Sequence, residues 1–264
     1  MKGLAILNFK FGTQIALHCA RAGFRYTSRV PLLALDTCDA RGSIALLDDG
    51  RVLQEILHPV KEEYSSWLLP AVDRLLQESG ISHSSLAGYA VASGPGSFTG
   101  VRVGLTTAKA WAEVYRKPIF PVSRLAVLAL QAGHGSDYAA TFIDAQRKQI
   151  FAALYHRENG RWKLLGEETV IDPTEFFGSV TSTVGKAPLS WVSLDPELLT
   201  GSPFWQSQAA SGGAVVRVHP PITSAIGHYA LSHLLEHRTD ALALDANYVR
   251  RSDAEIFGKK GAAL

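Results

Sequence analysis

A glycine-rich stretch offers the first candidate chemistry in this sequence. Residues 93–104 read SGPGSFTGVRVG, follow an apolar run and open a segment with helical spacing. Glycines at a strand-to-helix turn leave backbone N–H groups available to hold an anion at the positive end of the helix. Glycine is also expected wherever a tight turn needs unusual backbone angles. The spacing alone therefore leaves a binding turn and a structural turn both open.

Three familiar motifs do not fit this stretch. A P-loop continues from its last glycine into Lys-Ser/Thr, and Gly100 is not followed by lysine. A dinucleotide fingerprint needs G-x-G-x-x-G, whereas the spacing here is G-x-G-x-x-x-G. A nucleophile elbow needs G-x-S-x-G, and Ser97 directly follows Gly96. The remaining chemical hypothesis is an anion held by the turn, with Gly94, Gly96 and Ser97 as candidate contacts.

A second motif indicates a different class of protein. His233-Leu-Leu-Glu236-His237 matches the H-x-x-E-H pattern in which two histidines one helical turn apart bind zinc. Only 27 residues follow His237, which leaves few carboxylates to serve as a third ligand. A metallopeptidase stays an alternative, but we expect a terminal amphipathic helix with solvated histidines and no metal site.

Two aspartates raise the alternative of an ATP-dependent phosphotransferase. Asp36 and Asp144 end short apolar strands, where kinases place carboxylates that bind metal or act as a general base. Thr37 and Ser43 are candidates to face phosphate beside Asp36. The second half of the chain lacks the expected glycine-threonine phosphate loop, for which SGG at 211–213 is a weak substitute. We therefore expect no required cofactor, and at most weak binding of ATP or ADP without turnover.

The elements that carry these residues repeat once along the chain. A strand that ends at Asp36 is followed by a hairpin with an Asp49-Gly50 turn, and the same pattern returns about 108 residues later around Asp144. A repeat of this length indicates two copies of one mixed α/β subdomain. The second copy is looser, and residues 178–190 are predicted to be loop-rich. The predicted organisation is an amino-terminal extension of unknown role at 1–31, a first subdomain at 32–135, and a second subdomain with a carboxy-terminal helix and tail at 136–264.

Two helices of the first subdomain, at 66–79 and about 98–115, form a candidate partner surface. Small residues recur every four positions in the second helix, although each glycine inside a helix costs about 1 kcal/mol relative to alanine. Such a stripe allows another backbone to approach closely, either that of the chain's own sheet or that of a partner protein. The candidate interface residues are Trp67, Leu68, Ala71, Gly100, Arg102, Gly104, Ala108 and Trp111.

Composition limits the class of protein. The 264 residues carry a net charge of +2, but five basic residues precede the first acidic one, so the rest is about −3. This excludes a nucleic-acid surface built from bulk charge. Two cysteines are too few for a disulfide framework, which favours a reducing cytoplasm. No apolar run approaches the roughly 18 to 20 residues of a membrane span.

The sequence resembles a known family. SGPGSFTGVRVGLTTAKAWA, with LLALDTCDARGSIALL before it and FIDAQRKQIFAALY and NYVRRSDAE after it, is similar to the TsaB (YeaZ) family of tRNA threonylcarbamoyladenosine biosynthesis proteins. The resemblance runs in order from Leu32 to about Glu255. It implies an α/β fold of the actin-like, sugar-kinase-like (ASKHA) ATPase type, with two related subdomains that each contain a mixed sheet and flanking helices.

The resemblance also implies a function. TsaB proteins look like degenerate siblings of TsaD, which transfers a threonylcarbamoyl group to the adenosine beside the anticodon of tRNAs that read codons beginning with A. TsaD binds metal through a His-x-x-x-His pair, and the corresponding segment here places Arg124 and Leu128 at the histidine positions. Neither is an ordinary metal ligand. The resemblance thus implies a subunit without catalytic residues.

The partners follow from the same resemblance. They are a TsaD-type transferase and a TsaE-type ATPase, with a homodimer when the chain is alone, and the helix pair of the first subdomain is the contact surface. We expect tRNA to be contacted only through the complex, and we expect no membrane association. Arg250 and Arg251 beside Tyr248 could touch tRNA phosphates, although arginines after a strand more often pair with local carboxylates.

Overall fold

The computed structural model describes residues 31–201, 205 and 213–233. Most of the predicted amino-terminal extension, and the tail residues Tyr248, Arg250 and Arg251, lie outside the described residues. The described chain divides into two compact units. The first unit contains residues 31–92, 103–122 and 221–233, and the second contains residues 93–102, 123–201, 205 and 213–220.

The first sheet has five strands in the order β3-β2-β1-β4-β5. Its strands are β1 Leu32–Asp36, β2 Ser43–Asp48, β3 Arg51–Leu57, β4 Gly88–Gly94 and β5 Ile119–Ser123. β1 pairs antiparallel with β2 and parallel with β4, and every residue of β1 and β4 is buried. Burial on both faces explains why these strands read as continuous apolar runs. Asp49 and Gly50 have φ angles of 48° and 73°, as the tight hairpin turn requires.

The second sheet repeats this architecture in the order β10-β9-β6-β7-β8. Its strands are β6 Tyr138–Asp144, β7 Ile150–Glu158, β8 Arg161–Ile171, β9 Leu189–Ser193 and β10 Ala214–Arg217. β6 pairs antiparallel with β7 and parallel with β9, as β1 does with β2 and β4. A second hairpin turn lies at Asn159-Gly160. The two sheets have the same strand order from the hairpin edge onward, so the predicted internal repeat is confirmed.

Six α-helices connect or flank these strands in the described ranges. They are α1 Tyr64–Glu78, α2 Phe98–Tyr115, α3 Arg124–Ala129, α4 Pro173–Val184, α5 Glu197–Thr200 and α6 Thr223–Ser232. A single 3₁₀ turn, His83–Ser85, precedes β4. α2 has the bounds that the sequence predicts.

α1 begins earlier than its sequence signals indicate. The predicted cap is Ser65 or Ser66, but the helix starts at Tyr64 after Glu63 and has no side-chain cap. Pro70 therefore lies inside the helix rather than near its first turn, and removes the N–H that would bond to the carbonyl of Ser66. Pro70 and Ser66 are both exposed, so water can satisfy that carbonyl.

The prediction of a loop from residue 178 is wrong for its first half, because α4 continues to Val184. Asp172 caps the helix by accepting from Thr174 N at 2.8 Å. The buried side chains of the helix recur at helical spacing, and Phe177 stacks on Trp191 with 5.2 Å between ring centroids. Packing of this apolar stripe outweighs the low helix propensity of its serines and threonines.

α6 packs against β1 and β2 of the first sheet, although it follows the second sheet along the chain. A single boundary between residues 135 and 136 assigned this helix to the second subdomain. Ile226 and Ala230 are buried, and a Cβ atom at Gly227 would overlap Leu47. The close fit between this helix and the first sheet decides which unit it joins.

None of the helices in the described ranges combines the length and hydropathy needed to cross a bilayer.

Candidate functional site

Asp36 and Asp144, which raised the phosphotransferase alternative, are the last residues of β1 and β6, and both make the same local contact. Asp36 Oδ1 accepts from Cys38 N at 2.9 Å, and Asp144 Oδ1 accepts from Gln146 N at 2.7 Å. Each carboxylate therefore closes a short turn at the end of its strand. Asp36 is buried, whereas Asp144 is half-buried.

Tyr64 of α1 holds the loop after β1 closed within the first unit. Its hydroxyl donates to the carbonyl of Asp39 at 2.5 Å and accepts from Gly42 N at 3.0 Å. Gly42 leaves no room for a side chain, since a Cβ atom there would overlap the Tyr64 hydroxyl and the carbonyl of Asp36. Burial raises the pKa of Tyr64, and the charges of Asp36 and Asp39 raise it further, so the phenol keeps its proton.

The two hydroxyls predicted to face phosphate are buried inside the first unit. Thr37 lies against Gly104 of α2. Ser43 donates to the hydroxyl of Thr223 at 2.5 Å. Both side chains thus contribute to packing between elements of their own unit.

A carboxylate beside Ser43 ties α6 to the first sheet. Glu55 Oε1 accepts from Ser224 N at 3.1 Å, in the first turn of α6, and lies 3.4 Å from Ser43 Oγ. Burial raises the pKa of Glu55, and its hydrogen bonds to Ser224 and Ser43 oppose that shift. A carboxylate at a helix amino terminus is favourable because it meets unpaired N–H groups.

Local requirements explain two of the four glycines in the glycine-rich stretch. Gly94 has a φ angle of 117°, a conformation that favours glycine. Gly104 lies where α2 approaches Thr37 and Val91, with the Val91 Cγ2 atom 3.6 Å from a hypothetical Cβ. Ser97 is exposed and caps α2 by accepting from Gly100 N at 3.4 Å, so the predicted anion contact has a structural partner.

Most of the eight candidate interface residues are buried within the chain. The buried residues are Trp67, Leu68, Ala71, Gly100, Gly104 and Ala108. The stripe of small residues instead lets α2 approach the chain's own sheet, as the contact between Gly104 and Thr37 shows. Of the eight predicted residues, Arg102 is exposed and Trp111 is half-buried. The guanidinium of Arg102 lies 3.8 Å above the ring of Phe98, which is also exposed.

Other residues of α1 and α2 in the first unit present apolar surface. Leu69 is 49% exposed, Val114 is 72% exposed and Tyr115 is 37% exposed. We call these three residues the exposed helix residues. Sequence periodicity indicates which residues share a face of a helix, but it does not say which face a distant sheet covers. These positions were therefore not predicted from the sequence.

An aromatic cluster, defined as His83, Tyr89, Trp111 and Tyr115, lies at the carboxyl end of α2. His83 stacks on Tyr115 with 4.7 Å between ring centroids and lies 4.9 Å from the ring of Trp111. Its Nδ1 atom lies 3.0 Å from the hydroxyl of Tyr89. Burial lowers the pKa of His83, and the negative charge of Asp73 opposes that shift. Only Trp111 was singled out from the sequence, because the contacts of His83 with Trp111 and Tyr115 join residues 28 and 32 positions apart.

Arg124 and Leu128, which the family resemblance places at the histidine positions of the transferase, are buried in the second unit. Arg124 donates from Nη1 to the carbonyl of Pro95 at 3.3 Å, and Leu128 is part of the core. Within the part of the chain that the structure describes, no three His, Cys, Asp or Glu side chains are grouped so that they could hold a metal ion.

The zincin-like motif is described only at its first residue. His233 lies just past the end of α6, where its Nδ1 atom is 2.8 Å from the carbonyl of Tyr229 and its ring stacks on that of Tyr229. Glu236 and His237 lie outside the described residues.

Two mixed five-stranded sheets with the same strand order and flanking helices define an actin-like, sugar-kinase-like (ASKHA) fold. Residues 51–245 match the family model of TsaD, tRNA N6-adenosine threonylcarbamoyltransferase. The chain is 30% identical over 243 residues to a Haemophilus influenzae protein named tRNA threonylcarbamoyladenosine biosynthesis protein TsaB, an alignment that covers 87% of this chain and 96% of that protein.

A second relative and a solved structure support the same family. A Bacillus subtilis protein of the same name is 38% identical over 129 residues, which span 49% of this chain and 56% of the relative. A crystal structure from Pseudomonas aeruginosa, described as similar to the peptidase YeaZ, has a TM-score of 0.65 and 26% identity, and the match covers 84% of this chain and 100% of that one. The chain belongs to the TsaB (YeaZ) family.

Proposed function

We propose that this chain is a non-catalytic subunit required to form threonylcarbamoyladenosine in tRNAs that read codons beginning with A. In this role it binds and activates a TsaD-type transferase, together with a TsaE-type ATPase. Membership of the TsaB family supports the pathway, since the relatives at 30% and 38% identity are both named for it. The transferase supplies the chemistry, and tRNA is contacted only through the complex in the cytoplasm.

The observation that carries the non-catalytic role is the pair Arg124 and Leu128. The family resemblance places these residues at the positions of two histidines that bind the metal ion in the transferase. A guanidinium cannot serve as an ordinary metal ligand, and a leucine side chain has no donor atom. Both side chains are buried, and Arg124 donates to the carbonyl of Pro95, so they serve packing and hydrogen bonding.

The contacts of the loop after β1 and of Ser43 at the start of β2 support the absence of nucleotide turnover. Cys38 N donates to Asp36, Gly42 N donates to Tyr64, and the hydroxyl of Ser43 donates to Thr223. These groups would have to exchange their present partners for phosphate oxygens. We therefore propose that ATP or ADP binds weakly at most and that no cofactor is required.

The surface that meets the partner is formed by the exposed helix residues, Leu69, Val114 and Tyr115. Val114 and Tyr115 extend the predicted interface beyond Trp111 in the same helix. Large apolar side chains left exposed are typical of protein interfaces, and Tyr115 also belongs to the aromatic cluster. We propose that the same surface supports a homodimer when the transferase is absent.

Size-exclusion chromatography of the full chain with and without the transferase of its own organism tests this function. We expect co-elution for the natural chain and for Leu164→Arg, a control in which a 41%-exposed leucine of β8 gains the same charge. Val114→Arg should abolish co-elution while the isolated chain keeps its unfolding temperature. Failure of the natural chain to co-elute, steady ATP hydrolysis by it, or stoichiometric zinc bound through His233 would each contradict the proposal.

A further inference from the structure

We propose that the aromatic cluster makes assembly with the transferase pH-dependent: docking requires the neutral imidazole of His83, and protonation of this ring weakens the complex. The inference rests on the proposed function, because it assigns a regulatory property to the same surface.

The position of His83 supports this coupling. Its ring lies between the inner and outer parts of the cluster, since Tyr89 is fully buried while Tyr115 is 37% exposed. The planes of His83 and Tyr115 are only 6° apart, so Tyr115 covers one face of the imidazole. A partner that packs on Tyr115 and Val114 would remove the water that still reaches His83.

The groups that face His83 come from three elements. Tyr89 of β4 contacts its Nδ1 atom, and Trp111 and Tyr115 of α2 contact its ring. Among the described residues, the negative charge that acts on His83 is that of Asp73 in α1. Asp73 is exposed and is therefore screened by water and salt. The remaining neighbours are uncharged phenol and indole rings, so the cluster contributes no full negative charge to stabilise an imidazolium that loses its hydration.

The sign of the effect follows from linkage. Burial already lowers the pKa of His83 in the free chain, and a covering partner lowers it further because desolvation disfavours the charged form. Binding therefore favours the unprotonated ring. The affinity is highest when the pH is above the pKa of His83 in the free chain, and it falls as the pH drops below that pKa.

Affinity measured by isothermal titration calorimetry between pH 8 and pH 5 tests the inference, with the full chain and the transferase. We expect Kd to rise about tenfold over this range. Each pH unit below the pKa of His83 in the free chain weakens the affinity by up to a factor of ten. His83→Gln and His83→Phe, which cannot be protonated, should show a smaller pH dependence. His134→Gln, an exposed histidine in the second unit, is the matched control and should behave like the natural chain.

The outcomes separate the two proposals. No binding at pH 8 would refute the proposed function and this inference with it. Binding with the same pH dependence in the natural chain and both His83 variants would refute the inference and leave the function standing. Tighter binding at pH 5 would also refute it, because an acidic group of the partner would then be pairing with the imidazolium. An NMR titration of the His83 ring, free and in complex, should show its pKa lowered on binding.

Discussion

Gly104 of α2 lies directly against Thr37, so close that a Cβ atom on residue 104 would overlap the Thr37 hydroxyl. Glycine in a helix costs about 1 kcal/mol relative to alanine, and this contact is the reason the cost is accepted. The small-residue stripe brings α2 onto its own sheet.

Gly104→Ala should therefore destabilise the chain in spite of alanine's higher helix propensity. We expect a loss of about 1 to 3 kcal/mol, because overpacking a buried contact forces a shift of the backbone or of Thr37. Urea unfolding followed by circular dichroism measures the change. Thr106→Ala, an exposed position in the same helix, should change stability by less than about 0.5 kcal/mol. A Gly104→Ala variant that is more stable than the natural chain would show that the overlap is relieved at no cost.

Tyr64→Phe should loosen the loop after β1. The substitution removes the hydroxyl that bonds to Asp39 and Gly42, and we expect it to cost about 1 to 3 kcal/mol because two backbone groups lose their partner. Hydrogen exchange at Gly42 N should become faster. Tyr138→Phe is the control, since the Tyr138 hydroxyl makes no hydrogen bond within the described residues, and its stability should be nearly unchanged. Unaltered exchange at Gly42 in Tyr64→Phe would mean that the phenol does not hold this loop.

Glu55 should give the first unit a pH-dependent stability. Burial raises the pKa of the Glu55 carboxyl above 4.5 in the folded chain. Its contribution to the free energy of unfolding is therefore fully present at a pH below the pKa in the unfolded chain, and it is lost as the pH rises through the pKa in the folded chain. Glu55→Gln stays uncharged, so its free energy of unfolding should improve relative to the natural chain from pH 4 to pH 7. Glu62→Gln removes the same charge at an exposed site and should not reproduce this trend. If the free energy of unfolding of Glu55→Gln instead fell relative to the natural chain from pH 4 to pH 7, the hydrogen bond from Ser224 N would outweigh the cost of burying the charge.

Local signals predicted much of the fold. The turn residues Asp49-Gly50, the apolar runs of β1 and β4, and the repeat around Asp36 and Asp144 depend on residues close together in the chain. Periodicity and turn chemistry are therefore enough to identify them. The misjudged start of α1 and the missed end of α4 are cases in which packing outweighs weak local preferences.

Less of the candidate site than of the fold could be predicted from the sequence. The sequence by itself determined the repeated α/β pattern and the family motifs, because each is written in neighbouring residues. Only the tertiary structure decided that Gly104 faces Thr37, that Tyr64 closes the loop at Gly42, and that His83 lies against Tyr115. These contacts join residues 22 to 67 positions apart, and such pairings arise from packing between elements, which no local pattern specifies.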